Sequence, residues 1–202
     1  VTYTWDDDNN LIIRYEATTD KPTLCNLTNH TYFNLNGHDA GSMIHHRLQL
    51  NASRFLPADS DLIPTGALSS VEGTPMDFRT SKAIGQNMNE PFPALQYGKG
   101  YDSCWAIDSW DGTIRQAATL RADKSGIVLE ITTDQPGIQV YGGNWLSGSP
   151  MGKGGKVYAD YDCVALECQG YPDAPNHPNF PSQELRPGEQ YLRHINFKFT
   201  IE

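Results

Sequence analysis

The sequence predicts an all-β protein, a sandwich or a barrel, on three observations. First, several segments alternate with a period of two. The cleanest is the last, where Tyr191, Arg193, Ile195, Phe197, Phe199 and Ile201 share one face and Leu192, His194, Asn196, Lys198 and Thr200 the other. Second, clusters of Gly, Pro, Asp and Asn punctuate the chain between these segments, as turns do. Third, no amphipathic helix of normal length and no repeat of fixed period is present.

Taken in order, Val1 to Trp5 and Leu11 to Ala17 read as a hairpin joined by Asp6-Asp7-Asp8-Asn9-Asn10, whose side chains bond locally and favour a turn. After Lys21-Pro22 a strand is expected over Asn26 to Leu35, ending in the loop Asn36 to Gly41, and a short one near Arg47 to Asn51. Ser53 to Gly100 is rich in Pro, Gly, Asp and Asn, with one helical turn expected around Ser81 to Ile84. A long irregular segment of this kind commonly shapes a cleft. Strand signals resume at Trp105 to Asp108, Ala117 to Arg121, Ile127 to Thr133, Ile138 to Trp145 and Tyr161 to Gln169. Arg186-Pro187-Gly188-Glu189 has the Pro-Gly centre of a type II turn leading into the final strand.

Fifteen Lys and Arg against 24 Asp and Glu give a formal charge of -9 with no basic run, which disfavours nucleic acid and anionic membranes as partners. A neutral polar ligand fits better. No stretch approaches the roughly 20 apolar residues of a spanning helix. The opening Val1-Thr2-Tyr3-Thr4-Trp5 is no signal peptide, and it reads as a strand already under way, so an N-terminal part is expected to precede it. Cys25, Cys104, Cys163 and Cys168 have neither disulfide density nor metal-ligand spacing. They read as buried free thiols of a reducing compartment, which favours a cytoplasmic location, with a periplasmic one open if a signal peptide precedes the chain.

Two stretches can carry chemistry. In Asn26 to Leu35, strand alternation would put Asn26, Thr28, His30, Tyr32 and Asn34 on one polar face against a largely apolar back, a wall suited to a ligand made of hydroxyl groups. Glu167 ends a strand of small apolar residues, where desolvation would raise its pKa and suit it to act as a base near neutrality. On position alone, a solvated or ion-paired glutamate is the more ordinary reading. Directly after it, Tyr171 to Pro181 carries four prolines in eleven residues and should be stiff. His177, crowded by them, reads as structural.

Together, Asn29-His30-Thr31-Tyr32-Phe33-Asn34-Leu35, Gly100-Tyr101-Asp102, Gln135-Pro136-Gly137-Ile138-Gln139-Val140-Tyr141, and Ala165-Leu166-Glu167 followed by Pro172-Asp173-Ala174-Pro175-Asn176-His177-Pro178 resemble the aldose 1-epimerase (galactose mutarotase) family, in its C-terminal part. The resemblance runs through the whole chain. It implies a single galactose mutarotase-like domain, a β-supersandwich that is mostly antiparallel with little helix and an open carbohydrate cleft. It also implies interconversion of the α and β anomers of a free aldohexose such as glucose or galactose, by a monomer or homodimer with no metal or organic cofactor. Residue by residue, Glu167 matches the general base, His30 the general acid, Asp102 a sugar-binding carboxylate and Gln139 an amide that contacts sugar hydroxyls.

The family also uses an arginine and a second histidine from its N-terminal half, and neither has a match here. His45 and His46 read as a solvated turn, and His194 lies opposite the aromatic face of the last strand. Gly142-Gly143-Asn144-Trp145 stands where the family commonly has Thr-Gly-Asn-Phe, which should alter packing near Gln139 without touching the acid or base. The isolated chain, lacking those partners, is expected to be inactive or poorly folded. Two rivals remain. A glycoside hydrolase could use Asp102 and Glu167 as its carboxylate pair, and a non-catalytic sugar-binding module could use Tyr101, Trp105, Trp110, Tyr141 and Trp145 as platforms, although core packing is the commoner use of such residues.

Overall fold

A computed structural model describes all 202 residues, Val1–Glu202. In chain order the strands are β1 (Thr2–Trp5), β2 (Asn10–Ala17), β3 (Thr23–Leu24), β4 (Tyr32–Phe33) and β5 (Arg47–Leu50). They continue with β6 (Arg54–Leu56), β7 (Ser69–Ser70), β8 (Lys82–Ala83), β9 (Asp102–Ala106) and β10 (Arg115–Arg121). The last are β11 (Ile127–Thr133), β12 (Gly137–Tyr141), β13 (Val164–Gln169), β14 (Glu184–Leu185) and β15 (Tyr191–Ile201). They form a seven-stranded sheet in the order β1-β2-β15-β11-β10-β5-β8, a six-stranded sheet in the order β4-β13-β12-β9-β6-β7, and a β14-β3 ribbon. Every pairing is antiparallel.

The expected all-β class holds, as do the period-two segments Ile127 to Thr133 and Tyr191 to Ile201. The Asp6 carboxylate caps the first turn, accepting from the Asp8 and Asn10 backbone N–H groups at 3.0 and 2.9 Å. One cluster of 33 buried residues joins the two large sheets. Ile13, Leu48, Leu129, Ile195 and Phe197 enter it from the seven-stranded sheet, and Phe55, Trp105, Ile138, Val140 and Leu166 from the six-stranded one. Packing on one face of each sheet leaves the reverse face of the six-stranded sheet free to carry polar side chains.

Boundaries shift where loops take over. The expected strand at Trp105 to Asp108 is Asp102–Ala106, and the one at Tyr161 to Gln169 begins only at Val164. At Ser81 to Ile84 the chain forms β8 and then one 3-10 turn, Ile84–Gln86. The six-residue helix α1 (Pro93–Gly98) carried no periodic signal; proline suits its first turn, and Lys99 in a left-handed conformation ends it. No helix is long and apolar enough to cross a membrane.

The largest correction concerns Asn26 to Leu35, of which only Tyr32–Phe33 is strand. Side chains replace the missing ladder. Asn26 exchanges two hydrogen bonds with the Gly170 backbone, and the Thr28 hydroxyl donates to the Cys168 carbonyl at 2.8 Å. Asn34 donates to the Gly41 and Asp162 carbonyls. Asn and Thr offer the backbone such alternatives to a ladder, which breaks the alternation. Leu27 and Thr31 are therefore exposed, while Phe33 and Leu35 are buried.

His46 is the second correction. His45 is exposed as expected, but His46 is wholly buried. Its Nε2 accepts from the Leu35 N–H at 2.9 Å, and its Nδ1 lies 3.2 Å from the Asp123 carboxylate. Burial depresses its pKa, with Asp123 opposing. The unfolded chain then binds the proton more readily, so His46 contributes stability above the ordinary value of about 6.5, lost as pH falls toward the folded pKa. Urea midpoints at pH 7 and pH 5 should therefore fall further for the parent than for His46→Gln, and equal falls would refute the assignment.

Candidate active site

The six-stranded sheet sets two rows of side chains across its open face. In one row Glu167 on β13 pairs with Gln139 on β12, and Gln139 with Cys104 on β9. In the next, Tyr32 on β4, Ala165 on β13, Tyr141 on β12 and Asp102 on β9 stand abreast. His30 comes over the end of these rows from the irregular segment before β4, its Nε2 3.4 Å from Glu167 Oε1. All four expected site residues, His30, Asp102, Gln139 and Glu167, thus line one cleft of about 460 Å³.

Electrostatics follow from that placement. Glu167 is buried, whereas half of the His30 side chain reaches solvent. Burial pushes the Glu167 carboxyl above the ordinary carboxylate range; a charged His30 works against this, and the negative charge of Asp102 adds to it. Asp102 is also raised by burial, against a hydrogen bond from Gln139 Nε2 at 2.8 Å and the field of His30. Gln139 Oε1 is buried with no partner. A carboxyl held toward its neutral form beside an imidazole can exchange a proton with a ligand, and the orphaned amide oxygen can accept from a hydroxyl. No group of three or more His, Cys, Asp or Glu side chains is arranged to hold a metal ion.

One wall comes from the irregular segment Ser53 to Gly100 that was expected to shape a cleft, although its residues were not named: Leu56, Ala58, Leu62 and Pro64, which belong to a hairpin-like loop closed by an Ala58–Pro64 bridge. His177 holds it. Its Nε2–H donates to the Pro64 carbonyl at 2.9 Å, with Asp173 3.2 Å away, and Asn179 donates to the Gly66 carbonyl. A side chain at Gly66, where φ is +85°, would lie 2.5 Å from the His177 ring. His177 is thus a brace in the proline-rich loop, as expected of it. The only sequence signal for this wall was the run of turn residues after Leu56.

Of the candidate aromatic platforms, Tyr101 and Trp105 are core, and Trp110 donates to the Asp134 carbonyl. Tyr141 and Trp145 line the cleft. Trp145 is 60% exposed, with Lys99 Nζ 4.6 Å from its ring. Within Gly142 to Trp145, Asn144, which keeps the family pattern, is wholly buried and donates to the Gly98 and Tyr101 carbonyls. A Cβ at Gly142 would stand 2.7 Å from its Oδ1. His194 lies outside the cleft, paired with Asp134 at 2.9 Å.

Residues 1–198 match the family model described as aldose 1-epimerase. The chain is 39% identical over 201 residues to a galactose mutarotase of Mus musculus, covering 100% of this chain and 57% of that protein. It is 38% identical over 204 residues to an aldose 1-epimerase of Escherichia coli K12, covering 100% and 58%. Among solved structures, an aldose epimerase homologue from C. elegans superposes with a TM-score of 0.86 at 35% identity, over 98% of this chain and 58% of that one. A galactose 1-epimerase from Lactobacillus acidophilus superposes with a TM-score of 0.82 at 30% identity, over 98% and 55%. The chain therefore spans somewhat more than half the length of the relatives it matches.

Proposed function

The chain belongs to the aldose 1-epimerase family, and on that premise we propose that it interconverts the α and β anomers of a free aldohexose such as glucose or galactose by acid-base ring opening. The observation that carries the reading is the His30 imidazole 3.4 Å from the buried Glu167 carboxyl on the floor of a polar cleft. The anomeric hydroxyl and the ring oxygen are substituents of one carbon, so the groups that exchange protons with them must stand side by side. Glu167 takes the hydroxyl proton while His30 protonates the ring oxygen. The bond from C1 to the ring oxygen then breaks, and the sugar opens to the aldehyde. Rotation about the C1–C2 bond and reclosure, with both proton transfers reversed, gives the other anomer. Asp102 and the free Gln139 oxygen bind sugar hydroxyls.

A neutral sugar suits a chain of net charge -9 with two carboxylates in its cleft. We place the protein in the cytoplasm on its four free thiols, as a monomer or homodimer. Polarimetry of the full-length protein on freshly dissolved α-glucose tests the reading. Interconversion should accelerate; no acceleration here, together with release of the aglycone from an aryl glycoside in a separate assay, would favour a hydrolase instead. The rate should rise with pH along an acid limb set by Glu167, above the ordinary glutamate value of about 4.3. Because Asp102 raises Glu167, Asp102→Asn should move that limb to lower pH. A limb that stays put in this variant would remove Asp102 from the electrostatics of the base.

A further inference from the structure

His30 is the least supported member of the site. It lies in the irregular stretch before β4, half of its side chain is exposed, and its ring has no polar neighbour but Glu167, at 3.4 Å. Something else must hold its orientation. The row beside it supplies two tyrosines with a gap between them, since Ala165 stands between Tyr32 and Tyr141 on the sheet. Directly opposite residues on adjacent antiparallel strands are roughly 4.5–5.5 Å apart, so the backbones of Tyr32 and Tyr141 stand roughly 9–11 Å apart. Their ring centroids are only 6.2 Å apart. The rings lean toward one another over Ala165, which is wholly buried. The His30 ring packs against both, 4.9 Å from Tyr32 and 6.2 Å from Tyr141. Tyr141 is itself steadied, since its hydroxyl accepts from the Trp145 N–H at 3.2 Å.

We propose that Tyr32 and Tyr141 are positioning residues that clasp the His30 imidazole over Ala165 and hold it within reach of Glu167. The clasp does in packing what a hydrogen-bonded partner does for many catalytic histidines. Ala165 belongs to the device, as a longer side chain there would fill the space the rings occupy. The catalytic part of this inference rests on the reading of His30 as proton donor; the packing part does not.

Two measurements on Tyr32→Ala, Tyr141→Ala and the corresponding Phe variants test it. The first is NMR relaxation of the His30 imidazole in the labelled chain. The ring should be rigid in the parent and the Phe variants, and its order parameter should fall to about 0.6 or below in either Ala variant. The second is mutarotation kinetics of the full-length protein. Each Ala variant should lose about tenfold in kcat with KM little changed, and Phe should restore most of the loss, since misplacement acts on the reacting geometry. A His30 ring as rigid in the Ala variants as in the parent would overturn the clasp, as would a loss confined to KM or one that Phe does not rescue. Should the parent show no mutarotation at all, the reading of function fails while the relaxation result still decides the clasp. Circular dichroism controls for unfolding, which the partial exposure of Tyr32 and the incomplete burial of Tyr141 make easy to avoid.

Discussion

In the full-length protein, Glu167→Gln should abolish mutarotation to within measurement, a fall in kcat of about 10²–10⁴-fold, because an amide of the same shape cannot accept the hydroxyl proton. Sugar affinity should stay close to that of the parent, since the amide still offers hydrogen-bonding groups beside Gln139, its cross-strand partner. Stability provides an independent check. Burial raises the folded-state pKa of Glu167, so between the unfolded value and the folded one the native state holds more protons than the unfolded chain. The stability this group contributes is fully present below the unfolded pKa and is lost as pH rises through the folded one. At neutral pH the ionised carboxylate is therefore a cost that Gln removes, and the variant should melt at the same temperature as the parent or higher. A variant as active as the parent would exclude Glu167 as the base. A changed sugar affinity in a protein with no mutarotation to lose would point to a binding module.

Trp105→Ala should cost about 3–5 kcal/mol, the range for emptying a buried aromatic site. Trp105 is wholly buried between the two large sheets, with ring contacts to Phe55, Phe78 and Tyr101 at 6.0–6.5 Å. Its Nε1–H donates to the Met76 carbonyl at 3.0 Å, so the substitution leaves that carbonyl without its partner as well as a cavity. Urea unfolding should show a lower midpoint at a similar slope, and Trp105→Phe should recover part of the loss. A cost below about 1 kcal/mol would mean that the sheets can close on the space, against the close packing of this core. The site should feel the change too. β9 presents Trp105 to the core and, on its other face, Asp102 and Cys104 to the cleft.

How far the sequence reaches can be judged strand by strand. β11 and β15 end where alternation says, because a strand with one buried face must keep its period. The chemistry of Glu167 was legible in part: small apolar neighbours announce a desolvated carboxyl, but an ion-paired surface glutamate looks the same until its partners are seen. The Asn26 to Leu35 stretch misled. Its polar residues had the right period for a strand face, yet Asn26, Thr28 and Asn34 spend their side chains on the backbone groups a ladder would have used. His46 misled in the opposite sense, since the groups that meet its ring are the Leu35 N–H and the Asp123 carboxylate, and no local pattern marks either.

By itself the sequence determined the class of fold, the presence of its longer strands, and, through its motifs, the family and the residues to watch. Both kinds of information are local: periodicity reports which face of a strand is dry, and a motif reports side chains within a few residues of one another. Only the tertiary structure decided that His30 meets Glu167, that Gln139 reaches Asp102 from 37 residues away, and that two tyrosines close over Ala165. Those contacts depend on register between strands distant in the chain. Register is set by the sum of core packing across both sheets, and no single segment carries it.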